Sequence, residues 1–113
     1  MDPDRARELL AEERERVERA LAGLGREDAG ELADQDEPAD QASDLYEDEL
    51  DAGLAAQLRE TLAAVERAEA RLAEGTYGLS VESGRPIPDE RLEAVPTAER
   101  TADEQDRYDR RSG

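Results

Sequence analysis

Apolar and polar positions follow a helical period most clearly between about Asp40 and Glu74. That stretch has no internal proline and a single glycine, Gly53. Leu50, Leu54, Leu58, Leu62, Val65, Ala68 and Leu72 recur in steps of four and three, which lines one side of an α-helix. A helix of that length extends roughly 50 Å and needs a partner along its stripe. The first residues supply one. Asp2-Pro3 predicts a helix start, with Asp as N-cap and Pro at the first helical position. Leu10, Val17, Leu21 and Leu24 then share a face, with Ala6 and Leu9 close by, and Glu12 with Arg16 and Glu15 with Arg19 are spaced to support the outside. This helix is expected to stop near Leu24-Gly25, shorter than the second. The matched stripes predict an antiparallel coiled-coil hairpin, with residues 25–39 as a connection broken by Gly25, Gly30 and Pro38.

After Glu74 the period changes. Gly75 is a helix C-cap. Residues 76–81 read as a short strand, 82–85 as a turn, and Ile87 as part of a return strand. Pro88 to Ala94 suits one or two helical turns, stopped before Pro96. Thr101 and Glu104 have capping-box spacing, so a last helix is expected from there to about Arg110. The fold class is therefore mostly α. A hairpin over residues 1–75, with an acidic tip at about 25–42, precedes a small β-turn region and a short helix over 76–113.

Composition narrows the function. The 113 residues carry a formal charge of -17, with 42% charged residues, no Trp, no Phe, no His and no Cys. Such a polyanion is repelled by DNA and RNA, and suits a basic protein surface or a cation instead. Between Glu27 and Asp51 stand twelve acidic residues and no basic one. Without His or Cys there is no ordinary nucleophile–base pair, and no phosphate-binding glycine loop or EF-hand spacing is present, so an enzyme is not expected. No run is apolar enough to span a membrane and no signal-peptide pattern opens the chain, so a cytoplasmic protein is expected.

Three segments carry a resemblance: Gly75-Thr76-Tyr77-Gly78, then Gly84-Arg85-Pro86-Ile87-Pro88, then Arg91-Leu92-Glu93-Ala94-Val95-Pro96. Together with the element order they resemble the DksA/TraR family of bacterial transcription regulators, which carry a four-cysteine zinc finger. The family's cysteine positions fall here on Ser80, Ser83, Thr101 and Glu104. Three neutral hydroxyls and one carboxylate do not hold structural zinc, so no metal and no cofactor are expected. The finger is then expected to be held by Tyr77, Leu79, Val81, Ile87, Leu92 and Val95, with hydroxyl hydrogen bonds filling the metal's space.

The family's tip signature, Asp-x-x-Asp-x-Ala, falls on Glu37-Pro38-Ala39-Asp40-Gln41-Ala42, with Asp36 beside it. The resemblance implies that Asp36, Glu37, Asp40 and Ala42 form a partner-binding tip. That tip would enter the secondary channel of bacterial RNA polymerase, near the catalytic magnesium, without touching DNA. Read from the residues alone, Glu37, Pro38 and Asp40 are ordinary helix-start chemistry. The alternative function is an acidic helical adaptor or stress-related module that docks on another protein. A monomer is expected, while apolar surface beyond the first helix leaves a dimer open. Tyr46 is expected to pack in the hairpin and Tyr108 to anchor the last helix.

Overall fold

The computed structural model describes residues 1–33 and 41–112, with side chains described for 1–24 and 50–112. The described residues are mostly helical: α1 (Pro3–Ala33), α2 (Gln41–Glu74), α3 (Asp89–Ala94) and α4 (Ala102–Ser112). α1 starts as the sequence predicts, with the Asp4 N–H donating to Asp2 Oδ1 at 3.3 Å. It does not stop at Leu24-Gly25 but runs on to Ala33. The physical reason is that a glycine inside a helix costs only about 1 kcal/mol relative to alanine. Gly25 and Gly30 are surrounded by Arg26, Glu27, Ala29, Glu31, Leu32 and Ala33, and most of these favour helix. The two long helices are therefore nearly matched, at 31 and 34 residues.

α2 ends where Gly75 takes φ +81° and the Thr76 N–H reaches back to the Arg71 carbonyl at 2.9 Å. That bond, from just beyond the cap into the last turn, is the Schellman arrangement. The expected strands of the following segment do not form among the described residues. A lone antiparallel bridge joins Leu79 and Pro86. Gly78 and Gly84 sit at positive φ, and prolines at 86 and 88 lack the N–H a ladder needs. The chain instead makes a tight turn, with the Ser80 N–H on the Arg85 carbonyl and the Gly84 N–H on the Ser80 carbonyl. α3 and α4 lie close to their expected places. The Thr101–Glu104 capping box is present: the Thr101 N–H donates to Glu104 Oε1 at 2.9 Å, and the Glu104 N–H donates to Thr101 Oγ1 at 3.3 Å.

The chain divides into two compact units. One comprises Met1–Glu13 and Ala64–Gly113, the other Arg14–Ala63. In the first unit the opening turns of α1 and the closing turns of α2 come together antiparallel. Ala6, Leu9, Leu10, Val65 and Ala68 are buried there. A fully buried leucine such as Leu10 stabilises the fold by about 2 kcal/mol. A second cluster in the same unit gathers Ile87, Leu92 and Ala98, with Met1 and Tyr77 packed against it. This corrects the expected finger core: Leu79, Val81 and Val95 are exposed, and Ala98 is inside instead. With no strand pairing, residues 79 and 81 do not alternate toward one covered face, so their β-like pattern does not bury them.

In the second unit Val17 is buried and Leu21, Leu24, Leu58 and Leu62 are half-buried. The leucine stripe is not covered throughout. Leu50 is 55% exposed and Leu54 45%. A seam between two helices shields only one side of each residue, so an apolar position at its margin stays partly wet.

Candidate functional site

The sequence points to two places, the hairpin tip and the finger. Asp36, Glu37 and Asp40 lie outside the described residues. Ala42 falls in the first turn of α2, and its side chain also lies outside them. Tyr46 is likewise outside the described side chains.

The finger is described completely. Ser80 is buried in the 80–85 turn, where its Oγ accepts the N–H groups of Glu82 at 3.1 Å and Ser83 at 3.3 Å. Ser83 Oγ accepts the Arg85 N–H at 3.2 Å. Each hydroxyl proton is thereby left free to donate elsewhere. Both serine hydroxyls face the Glu104 carboxylate, which is only 5% exposed at the start of α4. The Ser83 hydroxyl, the Thr101 N–H and the Ser80 hydroxyl, in that order, hold the Glu104 carboxyl down at about 2. The four positions Ser80, Ser83, Thr101 and Glu104, grouped by the sequence resemblance alone, do meet in space.

Ion pairs then tie the finger to the helix ends of the same unit. Glu99 accepts from Arg71 Nη1 at 3.0 Å and from Arg67 Nη2 at 3.2 Å, one turn apart on α2. Its carbonyl takes the Val81 N–H at 2.8 Å. From α1, Arg5 makes a two-pronged pair with Glu93 of α3, at 2.9 and 2.8 Å. That guanidinium lowers the Glu93 carboxyl below its usual range, and Glu93 in turn raises Arg5. The Tyr77 hydroxyl donates to the Pro96 carbonyl at 2.8 Å; burial pushes the phenol up, while Arg71 acts the other way. Arg100 bonds Glu82 at 2.9 Å and covers the Tyr108 ring at 3.9 Å, so Tyr108 does anchor α4. None of Arg5, Arg67, Arg71, Glu93 and Glu99 stood out in the sequence. The Arg67–Arg71 spacing of four was the one local sign, and partners tens of residues away left none.

Within the first unit, antiparallel ends of two helices hold a small finger, the arrangement found at the base of helical-hairpin proteins. A sequence profile described as the prokaryotic dksA/traR C4-type zinc finger matches residues 75–110. The chain is 36% identical over 73 residues to the RNA polymerase-binding transcription factor DksA of Caulobacter vibrioides, covering 65% of this chain and 51% of that protein. It is 49% identical over 70 residues to the uncharacterized protein YteA of Bacillus subtilis, covering 61% and 29% respectively. The chain thus spans about half or less of the length of these curated relatives. The solved structure of transcription factor DksA2 from Pseudomonas aeruginosa superposes with a TM-score of 0.83, at 29% identity, over 97% of this chain and 84% of that one. Its finger region thus matches the DksA/TraR family, and its fold is similar to that of a DksA protein.

The family's zinc does not suit the residues present. The chain has no cysteine and no histidine. Ser80 Oγ already accepts two backbone N–H groups, and Glu104 is committed to hydroxyl and amide donors. A structural zinc ion needs four strong donors, and one carboxylate is all this set provides. Among the described residues no group of three or more His, Cys, Asp or Glu could hold a metal ion, and no helix is long and apolar enough to cross a membrane.

Proposed function

We propose that this chain binds bacterial RNA polymerase directly and regulates transcription. It does so without catalysis, without a cofactor and without touching DNA. The observation that carries the reading is the likeness to transcription factor DksA2 over 97% of the chain. The similarity to the Caulobacter relative, an RNA polymerase-binding transcription factor, supports it. In this reading the chain acts as a monomer and its acidic tip segment enters the secondary channel, with Asp36, Glu37, Asp40 and Ala42 as the contact. A short carboxylate there bonds basic or backbone groups of the channel wall, or alters the surroundings of the polymerase's metal.

The test is a pull-down with core RNA polymerase, followed by crosslinking with the linked residues mapped. Retention at low salt, lost in the Glu37→Gln/Asp40→Asn double variant, with crosslinks to the channel, is expected. Binding that survives the double variant, with crosslinks elsewhere on the enzyme, would remove the tip from the mechanism. No retention even at low salt, where charge steering is strongest, would leave the reading of an acidic adaptor for another protein.

A further inference from the structure

We propose that the Glu104 carboxylate is a cross-link in its own right, joining the 80–83 turn to the start of α4 as a metal ion would. It is a positioning residue and binds no ligand. The geometry has three parts. Ser80-x-x-Ser83 and Thr101-x-x-Glu104 keep the spacing of two ligand pairs. The turn aims two N–H groups at Ser80 Oγ and one at Ser83 Oγ, which orients both hydroxyls as donors. Glu104, buried like Ser80, accepts the Thr101 N–H at 2.9 Å and is faced by those hydroxyls, so one buried anion stands between donors of both segments. Four thiolates around a dication are replaced by one monoanion with neutral donors around it. The sign of the central charge is inverted and the connectivity is kept.

An ordinary capping box would not need the serines. A capping glutamate at the third helical position reaches its own N-cap and normally stays in solvent. Here the residue is buried, and the hydroxyls that meet it come from a turn some twenty residues earlier in the chain. Other ties run in parallel: Arg100 to Glu82 at 2.9 Å and the Val81 N–H to the Glu99 carbonyl at 2.8 Å. Loss of Glu104 therefore loosens the finger without abolishing the fold.

The experiment measures thermal unfolding and amide exchange in the intact chain, with and without a chelator and with added zinc. Wild type is expected to ignore both additions. Glu104→Ala is expected to lower the midpoint by about 5 °C or more and to speed exchange at the Thr101 amide by about tenfold or more. Glu104→Gln, with one acceptor oxygen and no charge, is expected to fall between the two. A fourth protein, S80C/S83C/T101C/E104C, checks convergence: it is expected to take up one zinc and become chelator-sensitive. The proposal is overturned if Glu104→Ala matches wild type in both readouts, or if Glu104→Gln does so. It is also overturned if wild type is stabilised by zinc, or if the four-cysteine protein folds and binds none.

Discussion

The sharpest test of the finger's packing is Leu92→Ala. Leu92 is 0% exposed and sits with Ile87 and Ala98, with Met1 and Tyr77 against them. Truncation removes three carbon-sized groups at about 0.8 kcal/mol each, roughly 2.4 kcal/mol of transfer free energy. A neighbour such as Gly78, whose missing side chain faces Leu92 Cδ1 at 3.6 Å, cannot move in to fill the space. Part of the cavity therefore remains, and the total comes to about 3 kcal/mol, within the usual range of about 2–5 for such changes. For a chain of this size that is a fall of about 10–20 °C in the unfolding midpoint. Differential scanning calorimetry measures it, and near-UV dichroism in a Tyr46→Phe/Tyr108→Phe background, where Tyr77 is the one remaining tyrosine, reports the finger separately from the helices. Val95→Ala is the control. Val95 looks equally suited to the core in the sequence but is 43% exposed, so under about 1 kcal/mol is expected. Equal losses from Leu92 and Val95 would refute the burial pattern on which the finger's architecture rests.

Other outcomes follow from the same geometry. Glu99→Ala strips the shared acceptor from Arg67 and Arg71 and is expected to cost about 1–3 kcal/mol in urea unfolding, less at high salt. Gly75→Ala meets no neighbouring atom yet must hold φ at +81°, so about 1–2 kcal/mol of backbone strain is expected, unrelieved by any repacking. Glu104 binds its proton less readily folded than unfolded: its carboxyl stands at about 2 against an ordinary 4.5. Its contribution is therefore complete above about pH 4.5 and is lost as pH falls toward about 2, a slope that Glu104→Gln should flatten. The comparison with the variant matters, because acid also relieves the mutual repulsion of a chain at -17 and partly masks the loss.

The helices were legible where local chemistry decides. The unbroken stripe placed α2 to within a residue, Asp2-Pro3 opened α1, and Thr101 with Glu104 opened α4. The end of α1 is not legible, because two glycines look like a stop while their cost is small against the helix formers around them. The convergence of Ser80, Ser83, Thr101 and Glu104 was readable only through resemblance, since nothing in the spacing of either pair names the other. The finger's interior was half legible. Ile87 and Leu92 read as core and are core, whereas Leu79 and Val81 read inward only through a strand pattern that glycines and prolines forbid, and Val95, at the end of α3, is exposed. The ion pairs that secure the finger were not legible at all, because Arg5 and Glu93 are brought together only by the completed fold.

The packing of Met1 beside Ile87, Leu92 and Ala98 has a consequence for the order of assembly. Opening residues of the chain form one wall of a cluster whose other walls are made some ninety positions later, so the loop that must close is nearly the whole polypeptide. Such closure is slow compared with the growth of either helix. The rods should zip early and the small cluster lock last, and a refolding trace followed at Tyr77 should lag one followed by helicity.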